Sequence, residues 1–320
     1  MYTIDYTPYR LLNWINIDSL NKYYLSKNPK AIYFLEQNPD KIYWEALSCN
    51  PNAIHLLEQN IDKIDWKELS ENENAINLIE KYPDKVDWRR VSCMPNAITL
   101  LEQNPDKIDW KGISINPKAI HLIEQNLDKI DWEGLSMNPK AIHLLEQNPD
   151  KIDWVLLSIN TSSMSLLEQN LDKIDWYFLS ENPNAIYLLE QNIDKVEWRT
   201  LSDNPNAVHL LEQYPDKIDW EGLSMNPKAI HLLEQNPDKI SWGYLSGNPN
   251  GIHLLEKNQD KINCMEIASN PSIFEIDYQV LEKRIEPFKE ELIQTCFHPS
   301  RLVRYLETYN YDIGEDDYQD

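Results

Sequence analysis

Apolar and polar residues alternate along this chain in one fixed pattern of 22 residues. The unit is W-x-x-L-S-x-N-P-x-A-I-x-L-L-E-Q-N-x-D-K-I-D, as in Trp44 to Asp65, and copies of it fill the chain from Lys22 to Phe274. A fixed period of this length is typical of solenoids, in which each unit packs against its neighbours. Tryptophans mark the copies without insertion or deletion: Trp44, Trp66, Trp88, Trp110, Trp132, Trp154, Trp176, Trp198, Trp220 and Trp242.

The segment N-P-x-A-I-x-L-L-E-Q predicts one helix in each unit. In Asn50 to Gln59, asparagine is a preferred N-cap, and proline suits the first helical position, where its missing N–H would be unpaired anyway. Ala53, Ile54 and Leu57 then lie on one face. Every unit has this capping asparagine except the one that carries Met94. The regularity of the cap predicts the start of the helix.

A second helix is predicted from N-x-D-K-I-D-W-x-x-L-S, as in Asn60 to Ser70. Two starting points remain open. Either Asn60 is the N-cap, or Asp62 is the N-cap with Asp65 in a capping-box arrangement. Helices this short are unstable alone. Each unit is therefore expected to be a helix pair that is stabilised by burying its Trp, Ala, Leu and Ile side chains against adjacent units.

The predicted fold is all-α, an elongated α-solenoid (superhelix) of about twelve helix pairs with helical caps at both ends. A leucine-rich repeat has a similar period, but Asn-Pro falls where its strand would run. Since terminal repeats need capping, a helix through Leu11 and Trp14 is predicted before the first unit. After the last unit, we expect helices over Tyr278 to Gln294, kinked near Pro287, and over Phe297 to Glu307. The segments of this one continuous domain are an N-terminal cap (1–21), the repeat array (22–274), a C-terminal helical cap (275–310) and an acidic tail (311–320).

Charge and cysteine usage narrow the class of partner. The formal net charge of −23 repels phosphate backbones, so direct binding of nucleic acid is not expected. Cys49 and Cys93 lie two units apart, too far to form a disulfide, and unpaired cysteines indicate a reducing compartment. Met1 to Arg10 lacks the pattern of a signal peptide, and no run of 18 apolar residues occurs. We expect a cytoplasmic, intracellular protein with no membrane partner.

The repeat also carries a resemblance. The unit L-S-x-N-P-N/K-A-I-H-L-L-E-Q-N-x-D-K-I-D-W resembles the short repeats of a large, mostly uncharacterised protein family of giant DNA viruses of the mimivirus type. The stretch Phe297 to Leu306 is similar to endings that are common in that family. The resemblance implies a viral repeat protein, in the host cytoplasm or the virus particle. It brings no catalytic or cofactor residues.

Rows of histidine and of acidic residues are candidate sites. Neighbouring units about 10 Å apart cannot share one ion held at about 2 Å, so an exposed polar row is favoured over a metal or pH-sensing ladder. The Glu and Asp rows are interpreted as helix-end charges that complement the following lysines, with a docking strip or weak calcium sites as the alternative. No phosphate loop, nucleophile elbow or Cys/His spacing occurs, so no enzyme activity, metal or cofactor is predicted. The histidines are His55, His121, His143, His209, His231 and His253.

Positions that vary between copies of one frame are informative, because packing does not fix them. Near the middle of the array these positions become apolar, beside the irregular unit at Asn160 to Ser165. A contiguous apolar patch predicts a partner-binding site. The alternatives are a repacked core or a copy that has drifted. We therefore expect a non-enzymatic scaffold for an unknown protein partner; the second expectation is a self-associating structural component of a virus particle, and an enzyme is a distant third. The candidate residues are Val155, Leu156, Ile159, Tyr177 and Phe178.

Overall fold

Two short α-helices recur in every unit but the last, in a computed structural model that describes residues 7–296, 298, 301 and 304. One set occupies the tryptophan positions, and we call its members inner helices because of the arrangement described below. These are α1 (Lys22–Lys27), α3 (Trp44–Ser48), α5 (Trp66–Leu69), α7 (Trp88–Cys93), α9 (Trp110–Ile115), α11 (Trp132–Met137), α13 (Trp154–Ile159), α15 (Trp176–Glu181), α17 (Trp198–Asp203), α19 (Trp220–Met225), α21 (Trp242–Gly247) and α23 (Glu266–Ser269).

The second set, the outer helices, begins at the isoleucine position. These are α2 (Ile32–Gln37), α4 (Ile54–Gln59), α6 (Ile76–Lys81), α8 (Ile98–Gln103), α10 (Ile120–Glu124), α12 (Ile142–Gln147), α14 (Met164–Glu168), α16 (Ile186–Gln191), α18 (Val208–Gln213), α20 (Ile230–Gln235) and α22 (Ile252–Glu256). Short 3₁₀ segments occupy Ile17–Ser19, Pro29–Ala31, Pro39–Lys41, Ile61–Lys63, Pro95–Ala97, Pro105–Lys107, Pro149–Lys151, Leu171–Lys173, Ile193–Lys195, Pro215–Lys217, Pro237–Lys239, Pro249–Gly251, Gln259–Lys261, Pro271–Ile273 and Glu286–Phe288.

The inner helix starts later than either predicted starting point. Its N-cap is the aspartate just before tryptophan: Asp65 Oδ1 accepts a hydrogen bond from Glu68 N at 2.9 Å. The preceding Ile61–Lys63 is a separate 3₁₀ turn. Capping by Asn60 or Asp62 is therefore wrong for this α-helix, because the chain makes that extra turn first.

The predicted asparagine cap ahead of the outer helix is confirmed, but it caps a turn, and the α-helix begins a few residues later. Asn50 Oδ1 accepts a hydrogen bond from Asn52 N at 3.1 Å. The α-helix itself begins at Ile54. The Asn-Pro turn thus orders the chain just ahead of each outer helix.

The core is a continuous row of leucine and alanine. Leu47, Ala53 and Leu57 are fully buried. Trp44, by contrast with the expectation, is only partly buried. The ammonium of Lys63, in the 3₁₀ turn that precedes the next inner helix, lies 4.7 Å from the Trp44 ring centroid. This cation–π contact recurs at eight joints at 4.4–5.0 Å.

Each capping asparagine also binds the preceding unit. Asn50 Nδ2 donates to Ser26 O at 2.8 Å and to Asn28 O at 3.1 Å. A buried serine adds a third link, because Ser48 Oγ accepts a hydrogen bond at 3.0 Å from the backbone N–H of Asp65, the N-cap of the next inner helix. We call the two repeated sets of bonds the asparagine ladder and the serine ladder; they satisfy buried polar groups that would otherwise oppose folding. They hold consecutive units at a fixed distance.

The two ends of the array meet. Asn28, in the first unit, donates to Ala268 O at 3.2 Å and to Asn270 O at 3.0 Å in the last unit, as every ladder asparagine does to its predecessor. Helix α1 packs on α23 as other inner helices pack on their neighbours, and Asn21 N donates to Cys264 O at 3.4 Å. The predicted all-α solenoid of helix pairs is confirmed. Its expected elongated form is wrong, because twelve units close into a ring.

A two-stranded sheet seals this closure. Strand β1 (Tyr9–Leu11) pairs antiparallel with β2 (Phe274–Ile276), with Tyr9 opposite Ile276 and Leu11 opposite Phe274. Strand β2 stands where the twelfth unit would have its outer helix. The predicted capping helix through Leu11 and Trp14 is wrong, because the first unit has no exposed terminal face to cover.

The packing distinguishes the inside of the ring from the outside. Inner helices pack directly on each other, whereas successive outer helices approach less closely, and the closest elements of a closed ring lie on its inner circumference. Twelve helices about 9 Å apart give a circle of about 17 Å radius, so a helix radius of about 5 Å leaves a central channel roughly 24 Å wide. The accessible surface is 18566 Å², well above the roughly 14,000 Å² of a compact protein of this mass. An open channel and the exposed segment that follows the ring both add to this surface.

The joint between α5 and α7 is the loosest of the twelve. Met94 replaces the ladder asparagine here, so it cannot donate to the carbonyls of the preceding unit. Arg90 spans the joint instead and forms ion pairs with Glu71 and, at 3.5 Å, with Glu68. Side-chain charges therefore stand in for the asparagine at this joint.

Met94→Asn is expected to stabilise the ring by about 1–2 kcal/mol, because it restores two buried hydrogen bonds worth roughly 0.5–1.5 kcal/mol each. Urea unfolding of the purified protein measures the change. Asn116→Met, at an intact joint, is the matched control and should destabilise. An unchanged or lower midpoint for Met94→Asn would mean that this joint is too wide for the ladder.

After the ring, the chain continues as α24 (Tyr278–Ile285) and α25 (Lys289–Cys296). The 3₁₀ segment Glu286–Phe288 separates them, so the predicted break at Pro287 is confirmed. The predicted helix over residues 297–307 lies outside the described residues except at three positions, and the acidic tail lies wholly outside them. Among the described helices, none has the length and apolar character that crossing a membrane requires.

Candidate functional site

Three positions of each inner helix lie at the channel wall: the two after tryptophan and the one before the capping asparagine. The second of them also packs against the neighbouring inner helix, as at buried Ala46 and Gly112. We call all three channel positions. Neither ladder uses the side chains at these positions. Of ten large apolar residues that are exposed within the repeats, six lie at channel positions. Exposed apolar surface therefore concentrates on the channel wall. The six are Met137, Val155, Tyr177, Met225, Tyr244 and Met265.

The structure brings the five predicted partner-binding residues together. Val155, Leu156 and Ile159 lie on α13, and Tyr177 and Phe178 lie on the adjacent α15, all at channel positions. Val155 is 41% exposed and Tyr177 is 48% exposed, and the other three are partly buried. The Tyr177 and Phe178 rings meet edge to face with centroids 5.3 Å apart. None of the five belongs to the buried core cluster. We call these five residues the apolar shelf.

The irregular unit beside the shelf keeps the frame. Asn160 still donates to Ser136 O at 2.9 Å and to Asn138 O at 3.2 Å. Ser163 replaces the usual buried alanine, and its hydroxyl donates to Leu157 O at 2.8 Å. A satisfied hydroxyl explains why the substitution is tolerated. The departure from the repeat at this unit is thus absorbed locally and forms no site of its own.

A hollow of about 170 Å³ adjoins the shelf on the channel wall. It arises because Thr200 and Gly222 are small, whereas Tyr177 and Tyr244 stand on either side. Tyr177 belongs to both the shelf and the hollow. No signal in the sequence indicates this hollow, because it exists only where small residues lie between large neighbours from other units. Its lining is Tyr177, Glu181, Arg199, Thr200, Asp203, Asp219, Glu221, Gly222, Met225 and Tyr244.

The hollow is anionic, with four carboxylates against one guanidinium. Asp219 caps its own helix by accepting a hydrogen bond from Gly222 N at 2.8 Å. Desolvation by its surroundings raises the pKa of the Asp203 carboxyl, although the residue as a whole is exposed. In the described chain, Asp203 and Arg199 make no ion pair. The hollow therefore presents charge that the protein itself does not neutralise.

Asp203→Asn is expected to raise the melting temperature slightly at pH 7, by about 1–2 °C, because an exposed charge contributes little. A raised pKa in the folded state means that the ionised carboxyl opposes folding. This opposition is lost as the pH falls below the ordinary value of 3.8. Melting curves at pH 7 and pH 3 should therefore differ between variant and wild type only at pH 7. Asp219→Asn, which weakens a helix cap, should lower stability instead; a fall for Asp203→Asn would contradict the assignment.

The rest of the channel wall is close to neutral, although the chain carries a net charge of −23. Exposed Lys67, Arg89 and Lys111 occupy the same position of α5, α7 and α9 and form a basic arc. This arc lies five to six units from the hollow, across the channel. Cys49 and Cys93 also face the channel as free thiols. The ionisable residues at channel positions are Lys27, Lys67, Arg89, Arg90, Lys111, Arg199, Glu45, Glu68, Glu71, Glu133, Glu181, Asp203, Glu221 and Glu266.

The histidine row links the outer helices. Each histidine Nε2 meets the glutamate Oε1 of the preceding unit, for example His121 with Glu102 at 2.8 Å. The histidine row and the glutamate row, which were interpreted separately from the sequence, thus form one set of pairs. The pairs are His55–Glu36, His121–Glu102, His143–Glu124, His209–Glu190, His231–Glu212 and His253–Glu234. Likewise, eight of the lysines that follow the aspartates of the Asp row lie over tryptophan rings. In the described residues, no three His, Cys, Asp or Glu side chains are grouped to hold a metal ion.

The arrangement on the channel wall is that of a binding surface. An apolar shelf continues into an anionic hollow, with a basic arc across the channel, while the outer histidines and lysines are occupied by contacts within the ring. Comparison of the chain with protein-family models gave no match, and comparisons with curated proteins and with solved structures gave none either.

Proposed function

We propose that the ring is a non-enzymatic scaffold that binds a segment of another protein on its channel wall, at the apolar shelf. The observation that carries this proposal is the side-by-side exposure of Val155 and Tyr177 on adjacent inner helices, with Leu156, Ile159 and Phe178 between them. Contiguous exposed apolar surface of this kind marks interaction sites. Aromatic residues such as these are also enriched among binding hot spots.

The dimensions of the ring support this site. A channel roughly 24 Å wide has room for an α-helix of about 10–12 Å diameter or for an extended chain. The wall belongs to a stiff frame, since ladder bonds hold its helices. Little ordering would therefore accompany binding on the side of the ring, which favours affinity. Following the resemblance to giant-virus repeats, we propose a viral or host protein as the partner.

Self-association is a second candidate that a separate observation favours. Beyond the ring, α24, the 3₁₀ segment Glu286–Phe288 and α25 expose Tyr278 (71%), Phe288 (58%) and Ile293 (49%), respectively. Large exposed apolar side chains of this kind are suited to contact between copies. Sedimentation velocity across a hundredfold range of concentration tests this candidate, and Phe288→Asp should abolish any concentration-dependent increase in mass. A constant monomer mass would remove self-association from consideration.

The shelf is tested by affinity capture with a triple variant, Leu156→Asp/Tyr177→Asp/Phe178→Asp. Leu156 and Phe178 are partly buried, so some loss of stability is expected, and circular dichroism and the melting temperature check that the variant is folded at the temperature of the capture. We expect a partner retained by wild type at high salt to be lost from the triple variant, because apolar contacts resist screening. Tyr187→Asp is the matched control, since Tyr187 is 64% exposed on an outer helix.

The partner is then purified and titrated against the three proteins. A loss of affinity of a hundredfold or more in the triple variant alone supports the shelf. A partner that binds the triple variant as tightly as wild type would show that the shelf is not the docking site. A partner that is lost at high salt from wild type as well would move the site to charged residues.

A further inference from the structure

We propose that the hollow receives a lysine or arginine side chain of the same partner segment whose apolar side chains lie on the shelf. This inference rests on the proposed function and specifies the chemistry of the partner. The two surfaces are continuous, because the exposed Tyr177 ring belongs to both. A segment on α13 and α15 that extends toward α17 therefore meets the rim of the hollow.

The lining selects a cation. Tyr177 and Tyr244 provide aromatic walls, and Glu181, Asp203 and Glu221 provide carboxylates. An ammonium or guanidinium gains cation–π attraction from the rings and charge-assisted hydrogen bonds from the carboxylates. An apolar side chain would bury carboxylates without a partner, at a cost. An acidic side chain would be repelled, and it is the basic arc across the channel that suits acidic groups.

A comparison within the ring points the same way. On α1, Lys27 holds its ammonium 4.8 Å from the centroid of the Tyr23 ring, one turn earlier on the same wall. On α15, the equivalent tyrosine is Tyr177, but the residue at the lysine position is Glu181. The same aromatic position thus has its own cation in the first unit. In the eighth unit the tyrosine has the carboxylate of Glu181 beside it instead of a lysine, so a cation from the partner could occupy the place that Lys27 occupies in the first unit.

Among the described residues, the carboxylate of Asp203 in the hollow has no ion-pair partner, which is a further reason to expect a cation there. Desolvation already raises the pKa of Asp203, and an incoming cation would relieve this cost by pairing with the carboxylate. Arg199 lies on the rim and leaves the hollow with an excess of negative charge. Binding of a basic segment should therefore weaken with salt, but less steeply than binding through fully exposed charges.

The test uses the purified ring and a library of displayed random twelve-residue peptides. We expect the selected peptides to combine apolar residues with a nearby lysine or arginine. A selected peptide is then titrated against wild type, the shelf triple variant, Asp203→Asn/Glu181→Gln and Glu133→Gln. The last is the matched control, because Glu133 is an exposed channel carboxylate outside the hollow.

Affinity should fall at least tenfold for Asp203→Asn/Glu181→Gln and stay unchanged for Glu133→Gln. Replacing the peptide's arginine by citrulline, or its lysine by norleucine, should also lower its affinity for wild type at least tenfold. The same replacement should hardly change the affinity for the hollow variant, which would show that the peptide cation and the hollow carboxylates interact. Peptides that need the shelf but neither their cation nor the hollow carboxylates would overturn this inference and leave the proposed function standing. Absence of any shelf-dependent peptide would overturn both.

Discussion

Asn28→Ala is expected to destabilise the protein by about 2–4 kcal/mol, as much as Asn138→Ala. Removing each amide leaves two buried carbonyls without their donor, at roughly 1–3 kcal/mol per group. The geometry of the two sites is the same. Asn138 Nδ2 donates to Ser114 O and Asn116 O, both at 3.0 Å, and Asn28 makes its two bonds at 3.2 and 3.0 Å to the last unit.

Equality of the two effects is what distinguishes a ring from an open solenoid. In an open array Asn28 would lie in a terminal unit with no predecessor, and its removal would cost little. Urea unfolding of both variants, followed by tryptophan fluorescence, gives the comparison. A change below about 1 kcal/mol at Asn28 beside a full effect at Asn138 would mean that the ends do not meet in solution.

The helix pairs and their period could be predicted because each depends on a few neighbouring residues. The closure could not. It requires each joint to turn the chain by about 30°, a twelfth of a circle, and that angle depends on how closely inner helices pack. The closest joints are those where the second residue after tryptophan is Gly112 or Gly222, and the loosest has Arg90 there. Such differences in side-chain size can be read from the sequence. Closure depends on the sum of the turning angles at all twelve joints, which no single segment determines.

The strands that seal the ring were missed for a related reason. Tyr9–Leu11 and Phe274–Ile276 are three residues each and pair across almost the whole chain. Segments so short carry no clear period, and they become strands only when closure brings them together. The expectation of capping helices followed correctly from an assumption of free ends, and that assumption was wrong.

The grouping of the shelf residues could be predicted, because the 22-residue frame places Val155 and Tyr177 at the same position of adjacent inner helices. The hollow could not be, since it exists only where small Thr200 and Gly222 lie between large neighbours on different units. Pairing of His121 with Glu102 was missed because the 19-residue separation crosses a unit boundary. In each case the missing information is the register between adjacent units. One known joint would have supplied it for all.

That register makes a second strong prediction, at Gly112. A Cβ added there would lie 2.4 Å from Arg89 O on the neighbouring inner helix, far inside van der Waals contact. Backbone cannot move aside as a flexible side chain does, so Gly112→Ala should destabilise by about 1–3 kcal/mol. Without that neighbour, alanine in a helix would stabilise instead.

A graded series of glycine substitutions separates these two effects. At Gly222 the nearest backbone oxygen, that of Arg199, would be 2.9 Å away, whereas at Gly243 the nearest atom is a side-chain nitrogen at 3.8 Å. Melting temperatures should therefore fall most for Gly112→Ala, fall less for Gly222→Ala and rise for Gly243→Ala, where the gain in the free energy of unfolding is up to about 1 kcal/mol. A rise at all three would mean that inner helices stand farther apart in solution and that the channel is wider. The close joints at Gly112 and Gly222 would then no longer account for the curvature that closes the ring.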